Sequence, residues 1–123
     1  MPIIHDIDSR RRVVFTACIG SITIAEIDES TKRLRNDPAF DPDLDQIVDL
    51  SQLSSANLSY ETLSKFSRYD DPFSGNSRRA IVAPSTFAFG MARMYQALVD
   101  DPKFAVVKTM EQARQWLGLD AAE

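Results

Sequence analysis

Apolar positions recur along this chain with two periods, about 2 and about 3.6 residues, and stretches of the two kinds alternate. Ile3–Asp8 and Arg12–Ile19 are β-rich runs around Ser9-Arg10-Arg11, which predicts an antiparallel hairpin. In the second run both alternating sets are apolar (Val13, Phe15, Ala17 and Val14, Cys18), as in an inner strand covered on both faces, and Gly20 is expected to end it. Gln46–Leu50, Arg79–Ala83 and Phe104–Val107 predict three more short strands. The polar run Ser51–Asn57 reads as a connection.

Helical signals lie between these strands. Thr23 with Glu26 three residues on is a capping box, and Ile22 with Ile27 forms a hydrophobic staple. Ile24, Ile27, Thr31 and Leu34 then share a face, and Asn36-Asp37-Pro38 stops the helix. Ser59 can cap a second helix over residues 60–69, whose apolar face (Leu63, Phe66) is thin. Ser85 caps a third, in which Phe87, Met91, Met94, Tyr95 and Leu98 form one broad stripe expected to face the core. Gly90 inside it suggests close backbone approach. Thr109 and Gln112 make a second capping box, and Gly118 suits the left-handed ending of a last helix. The order β-β-α-β-α-β-α-β-α predicts one α/β domain over residues 1–123. Its mostly parallel mixed sheet has four or five strands with about four helices, and an antiparallel strand lies at one edge.

Composition narrows the function classes. Apolar residues make up 44% and charged residues 26%, ordinary for a globular chain, and the net charge of −4 disfavours a phosphate-backbone partner. No run approaches a membrane span. The N-terminus lacks a signal-peptide pattern, and Cys18 is the only cysteine, so a cytoplasmic setting is expected. Phosphate-cradling glycine motifs, a cofactor signature and a nucleophile–base pair are absent, and a lone histidine, His5, cannot build a His-cluster metal site. The expectation is a protein that is not an enzyme and takes no cofactor or metal.

Nearly the whole chain resembles the STAS-type, SpoIIAA-like domains, the family of the anti-sigma-factor antagonists. The resemblance is carried by Ile47-Val48-Asp49-Leu50-Ser51 with the Ser59 helix, by Ala80-Ile81-Val82-Ala83-Pro84, by Phe89-Gly90-Met91-Ala92-Arg93-Met94-Tyr95, and by Glu111-Gln112-Ala113-Arg114-Gln115-Trp116-Leu117. It looks most like a bacterial branch of small stand-alone proteins, and it implies a four- or five-stranded sheet with helices about it, related in shape to the lipid-binding Sec14 type. In the antagonists a serine within Asp-Ser-Ser-Gly is phosphorylated by a partner kinase. Ser59 matches that serine, while Asn57 and Tyr60 depart from the flanking acid and glycine, so the sigma-factor switch is not carried over.

Candidate residues follow. Ser59 is either a phosphoacceptor, where added charge at a helix N-terminus would stabilise the helix, or simply its cap; capping alone is favoured. Asp49, Ser51, Ser85 and Thr86 should line the rim of strand ends where open α/β sheets place ligands, a rim that capping by itself also requires. On the third helix Phe89 falls near Arg93 and Gln96, almost opposite the expected core stripe. Either these three form a contact surface, for a second copy or an apolar ligand, or the helix begins one or two residues later and leaves Phe89 folded into its first turn against the sheet. The leading expectation is a non-enzymatic interaction module that binds itself or a regulatory protein. The alternative is a binder or sensor of a small apolar or lipid-like ligand held between the sheet and the helix at 85–100.

Overall fold

The computed structural model describes residues 2–56, 61, 63–64 and 71–119. Five strands form one sheet in the order β1 (Ile3–Asp8), β2 (Val13–Ile22), β3 (Asp45–Ala56), β4 (Arg79–Val82) and β5 (Phe104–Val107). β1 runs antiparallel to β2, and every other neighbouring pair is parallel. Three helices are described in full: α1 (Ile24–Asn36), α2 (Thr86–Val99) and α3 (Met110–Leu117). The helix expected over residues 60–69 and the tail beyond Leu119 lie largely or wholly outside the described residues.

The strand order follows the chain order, so crossovers of one hand place α1 and α2 on the same face. On that face Cys18, Leu50, Ile81 and Phe104 pack with Ala88 and Ala92 of α2 and with Ile27 of α1. On the opposite face Val13, Ile47, Ala80 and Val82 pack with Ala113 and Leu117 of α3. A third cluster of Val14, Leu34, Leu44 and Phe73 closes one end beneath α1.

The capping signals are realised. Thr23 and Glu26 complete a reciprocal box at α1, as do Thr109 and Gln112 at α3, and the Ser85 hydroxyl accepts from the Ala88 N–H at 3.0 Å. Gly118 ends α3 at φ +73°, a conformation that costs a residue with a Cβ.

Three expectations are corrected. β3 does not stop at Leu50: residues 51–56 continue the strand alongside Ile19–Ile22 of β2, which likewise does not end at Gly20. The long β2–β3 ladder absorbs two register shifts, one beside Gly20, whose φ of +74° suits the irregularity. Ser51, Gln52 and Ser54 are exposed while Leu53 is buried, so the polar residues fill the solvent side of a real strand. In α1 Leu34 of the expected face is buried, but Ile24 of that face is 36% exposed at the first turn, and Ser30, which lies outside it, is buried.

The third correction concerns α2, which is rotated by roughly a quarter turn from the expected stripe. Phe87 is 50% and Met94 41% exposed, whereas Ala88 and Ala92 are fully covered and Tyr95 and Val99 half-buried. Small residues face the sheet, which lets the helix axis come close, and the bulky ones lie outward or flank the contact. Gly90 is exposed with nothing within 4 Å of where a Cβ would stand, so close approach does not explain it.

Gly90→Ala is therefore expected to stabilise the fold by about 0.5–1 kcal/mol, since a helix-interior glycine loses its entropic cost without a clash. Gly118→Ala is expected to destabilise it by about 1 kcal/mol, because φ +73° strains an L side chain. Urea denaturation of the two variants should show opposite shifts in midpoint.

Candidate functional site

A cavity of about 330 Å³ lies between the sheet and helices α1 and α2. Its walls are mostly apolar: Ile3, Ile22, Ile27, Leu50, Met91 and Phe104 contribute, together with Leu63. Its floor is different. His5 of β1 pairs with Thr16 of β2; Val48, opposite Thr16, lies two residues from Gln46 of β3; and Gln46 pairs with Arg79 of β4. Period-2 alternation thus puts His5, Thr16, Gln46 and Arg79 on the cavity face, one from each of four adjacent strands.

Buried polar groups must bond to one another, and these do. The Gln46 Nε2–H donates to Thr16 Oγ1 at 3.0 Å, and Thr16 Oγ1 lies 2.8 Å from His5 Nδ1. His5 Nε2 lies 3.1 Å from the Ser30 carbonyl oxygen of α1, which can only accept. In the neutral imidazole Nε2 therefore carries the proton, and Nδ1 accepts from the Thr16 hydroxyl. The result is a directional chain from Gln46 through Thr16 and His5 to the backbone of α1.

Burial is the main reason the His5 pKa is lowered from its ordinary value. The nearby Arg33 guanidinium adds to the effect; the Ser30 carbonyl and the Asp37 charge oppose it.

Arg79 occupies the other end of the floor. Its Nη2 lies 2.6 Å from Asp71 Oδ2, and its side chain is 13% exposed. The rings of Phe73 and Phe104 each lie 5.4 Å from its Cζ, so aromatic surface flanks the guanidinium. The Asp71 carboxylate is itself held by the Phe73 N–H at 3.0 Å. Tyr95 packs edge-on to Phe104 at 5.7 Å between ring centres, and burial raises its phenol pKa. Cys18 also lines the cavity. Its thiol is pushed up to about 11 by burial, with the Asp49 charge contributing, so it is no nucleophile at neutral pH.

The residues singled out from sequence are not gathered here. Ser59 lies outside the described residues. Asp49 alternates onto the opposite face, where its Oδ1 accepts from the Ser51 N–H at 2.9 Å, and Ser51 is exposed on the extended β3. Ser85 is occupied as a cap, and Thr86 is exposed in the first turn of α2. Phe89 is half-buried and packs against the core, although α2 begins where expected. Its ring lies under the Lys108 ammonium at 4.9 Å and the Arg93 guanidinium at 5.9 Å. The Gln96 Nε2–H donates to the Phe104 carbonyl at 3.0 Å and ties α2 to β5. Gln96 thus braces α2, Phe89 is half-buried beneath two cations, and Arg93 stays exposed beside it. Among the described residues no group of His, Cys, Asp and Glu could hold a metal ion.

No protein-family profile matches the chain, and no curated protein matches it in sequence. Its backbone, however, superposes on a crystal structure at 2.25 Å of an uncharacterized protein of the DUF3478 family, with a SpoIIAA-like fold, from Shewanella loihica PV-4. The TM-score is 0.60 at 17% identity, over 94% of this chain and 91% of the other. The chain has a SpoIIAA-like fold. At that identity the likeness extends to the architecture: the mixed sheet, with its antiparallel edge strand, and the helices about it. The SpoIIAA-like chain has, among its described residues, no helix long and apolar enough to cross a membrane.

The His5 pKa shift has a definite sign in stability. Its folded pKa is depressed, so its contribution is fully present above the ordinary value near 6.5 and is lost as pH falls toward the folded value. The unfolded chain holds more protons in that window. The carboxylates of Asp8 and Asp41 are also depressed, by the Arg11 side chain and by the Asp43 N–H with Arg12, respectively. Those contributions are lost only as pH falls through the lower carboxylate range. Denaturation midpoints measured between pH 7.5 and 5.5 should fall for the wild type and stay nearly flat for His5→Gln.

Proposed function

We propose that this SpoIIAA-like domain is a non-enzymatic binding module that holds a small ligand with an apolar body and a polar head. The cavity carries this reading: about 330 Å³, within the range of small-molecule sites, with apolar walls and a few convergent polar groups on one side. The apolar body lies against Ile22, Ile27, Leu50 and Met91, and the head meets the floor of His5, Thr16, Gln46 and Arg79. Both ring nitrogens of His5 are engaged in hydrogen bonds and burial keeps the Cys18 thiol protonated, which supports binding over catalysis.

Expected for 1-octanol titrated into the protein are saturable NMR shifts at the methyls of Ile3, Val48 and Ile81. Val48→Phe, which fills the floor of the cavity, should weaken them at least tenfold. Absence of shifts at millimolar alcohol, or shifts indifferent to Val48→Phe, would contradict the proposal.

A second reading, self-association of the domain in signalling, draws on α2. Of its fourteen residues only Arg93 is charged, and Phe87 and Met94 stand exposed on it. A second copy laid antiparallel along this stripe would cover both side chains on each partner. Light scattering should then read a dimer that Phe87→Asp converts to monomer; a wild-type monomer at high micromolar concentration removes this reading. Phosphorylation at Ser59 stays a separate proposal, resting on the match of that serine to the antagonists' phosphorylated one, and mass spectrometry of protein from its native cells tests it.

A further inference from the structure

The charges around the cavity restrict what its ligand can be, granted the binding role proposed above. Among the described residues, Asp71 compensates the one cation set into the floor, Arg79, at 2.6 Å, and Phe73 and Phe104 flank the guanidinium. The imidazole of His5 points its N–H at the Ser30 carbonyl and accepts from Thr16, an arrangement complete without a charge. The remaining charged lining groups are exposed residues of α1. Asp28 and Lys32 pair with each other there at 3.4 Å, and Arg35 is an exposed residue at the rim. Among the described residues the interior of the cavity is therefore balanced in charge while rich in donors and acceptors.

We infer that the ligand is electrically neutral: a small chain or ring that fits a cavity of about 330 Å³ and ends in a carboxamide or hydroxyl group rather than a free carboxylate or amine. A carboxylate seated on the floor would meet Arg79 already neutralised and Asp71 close behind it, and would lose its hydration without gaining a free cation. An ammonium would find Asp71 already occupied by Arg79. A carboxamide needs neither. Gln46 spends one amide N–H on Thr16, and its side chain holds a second N–H and a carbonyl oxygen, the complement of another amide. Discrimination of this kind comes from the penalty on the wrong head group, since apolar contacts with the tail are equal for both.

The test is a matched pair, octanamide and octanoate, titrated at pH 7.5 by calorimetry or NMR. Octanamide is expected to bind at least tenfold more tightly than octanoate. Asp71→Asn removes the charge that neutralises Arg79, and the side chain is 39% exposed, so the substitution is tolerated by the fold. In that variant the preference should invert, with octanoate gaining at least tenfold. Octanoate binding to the wild type as tightly as octanamide, or an unchanged ratio in Asp71→Asn, overturns the inference while leaving the cavity's binding role in place. Failure of octanamide, octanoate and 1-octanol alike overturns both.

Discussion

The hydroxyl of Thr16 is the point on which the ligand-facing half of this structure depends. It sits on the second strand, 6% exposed, accepts from Gln46 of the third and satisfies His5 of the first. Without it a buried amide N–H and a half-buried ring nitrogen would each lack a partner, a cost of about 1–3 kcal/mol for the buried one. Because it is satisfied, a polar row can lie under α1 and α2 where apolar side chains would otherwise close the core. Polar floor and cavity are two aspects of one arrangement. Side chains that must keep their hydrogen-bond geometry cannot collapse to fill space as leucines do.

The edge strand takes part in the same arrangement. β1 has a neighbour on one side only, and His5 joins it both to β2 and, through the Ser30 carbonyl, to α1. The Arg33 Nη2–H donates to the Ile3 carbonyl at 3.2 Å, a second tie between helix and strand. These bonds tie α1 to the edge strand and so hold the helix against the sheet beside the cavity.

Much of the fold was legible because its signals are local. Thr23 with Glu26 and Thr109 with Gln112 act within one turn of helix, and Phe104–Val107 stands between Pro102 and a cap, so both ends of that strand could be read directly. What escaped depends on partners distant in sequence. Ser51 to Ala56 become strand because Ile19 to Ile22 run beside them, and nothing in a polar run announces such a neighbour. α2 is apolar nearly all round, so its pattern carries little information on which side faces the sheet, and the alanines that do so are the weakest signal on the wheel. The polar floor was missed for a related reason. His5, Thr16, Gln46 and Arg79 each look incidental in an otherwise apolar strand, and only the register between strands shows that they share a face.

The arrangement of the floor is most directly tested at His5 by the ¹⁵N chemical shifts of its imidazole nitrogens, followed through a pH titration. The hydrogen-bond chain requires a ring that at pH 8 is neutral, protonated at Nε2 and bare at Nδ1, with one nitrogen in the pyrrole-like range and the other pyridine-like, and that charges only below the ordinary value of 6.5. Two averaged shifts at pH 8, an Nδ1–H tautomer, or a ring that charges above pH 6.5 would contradict it.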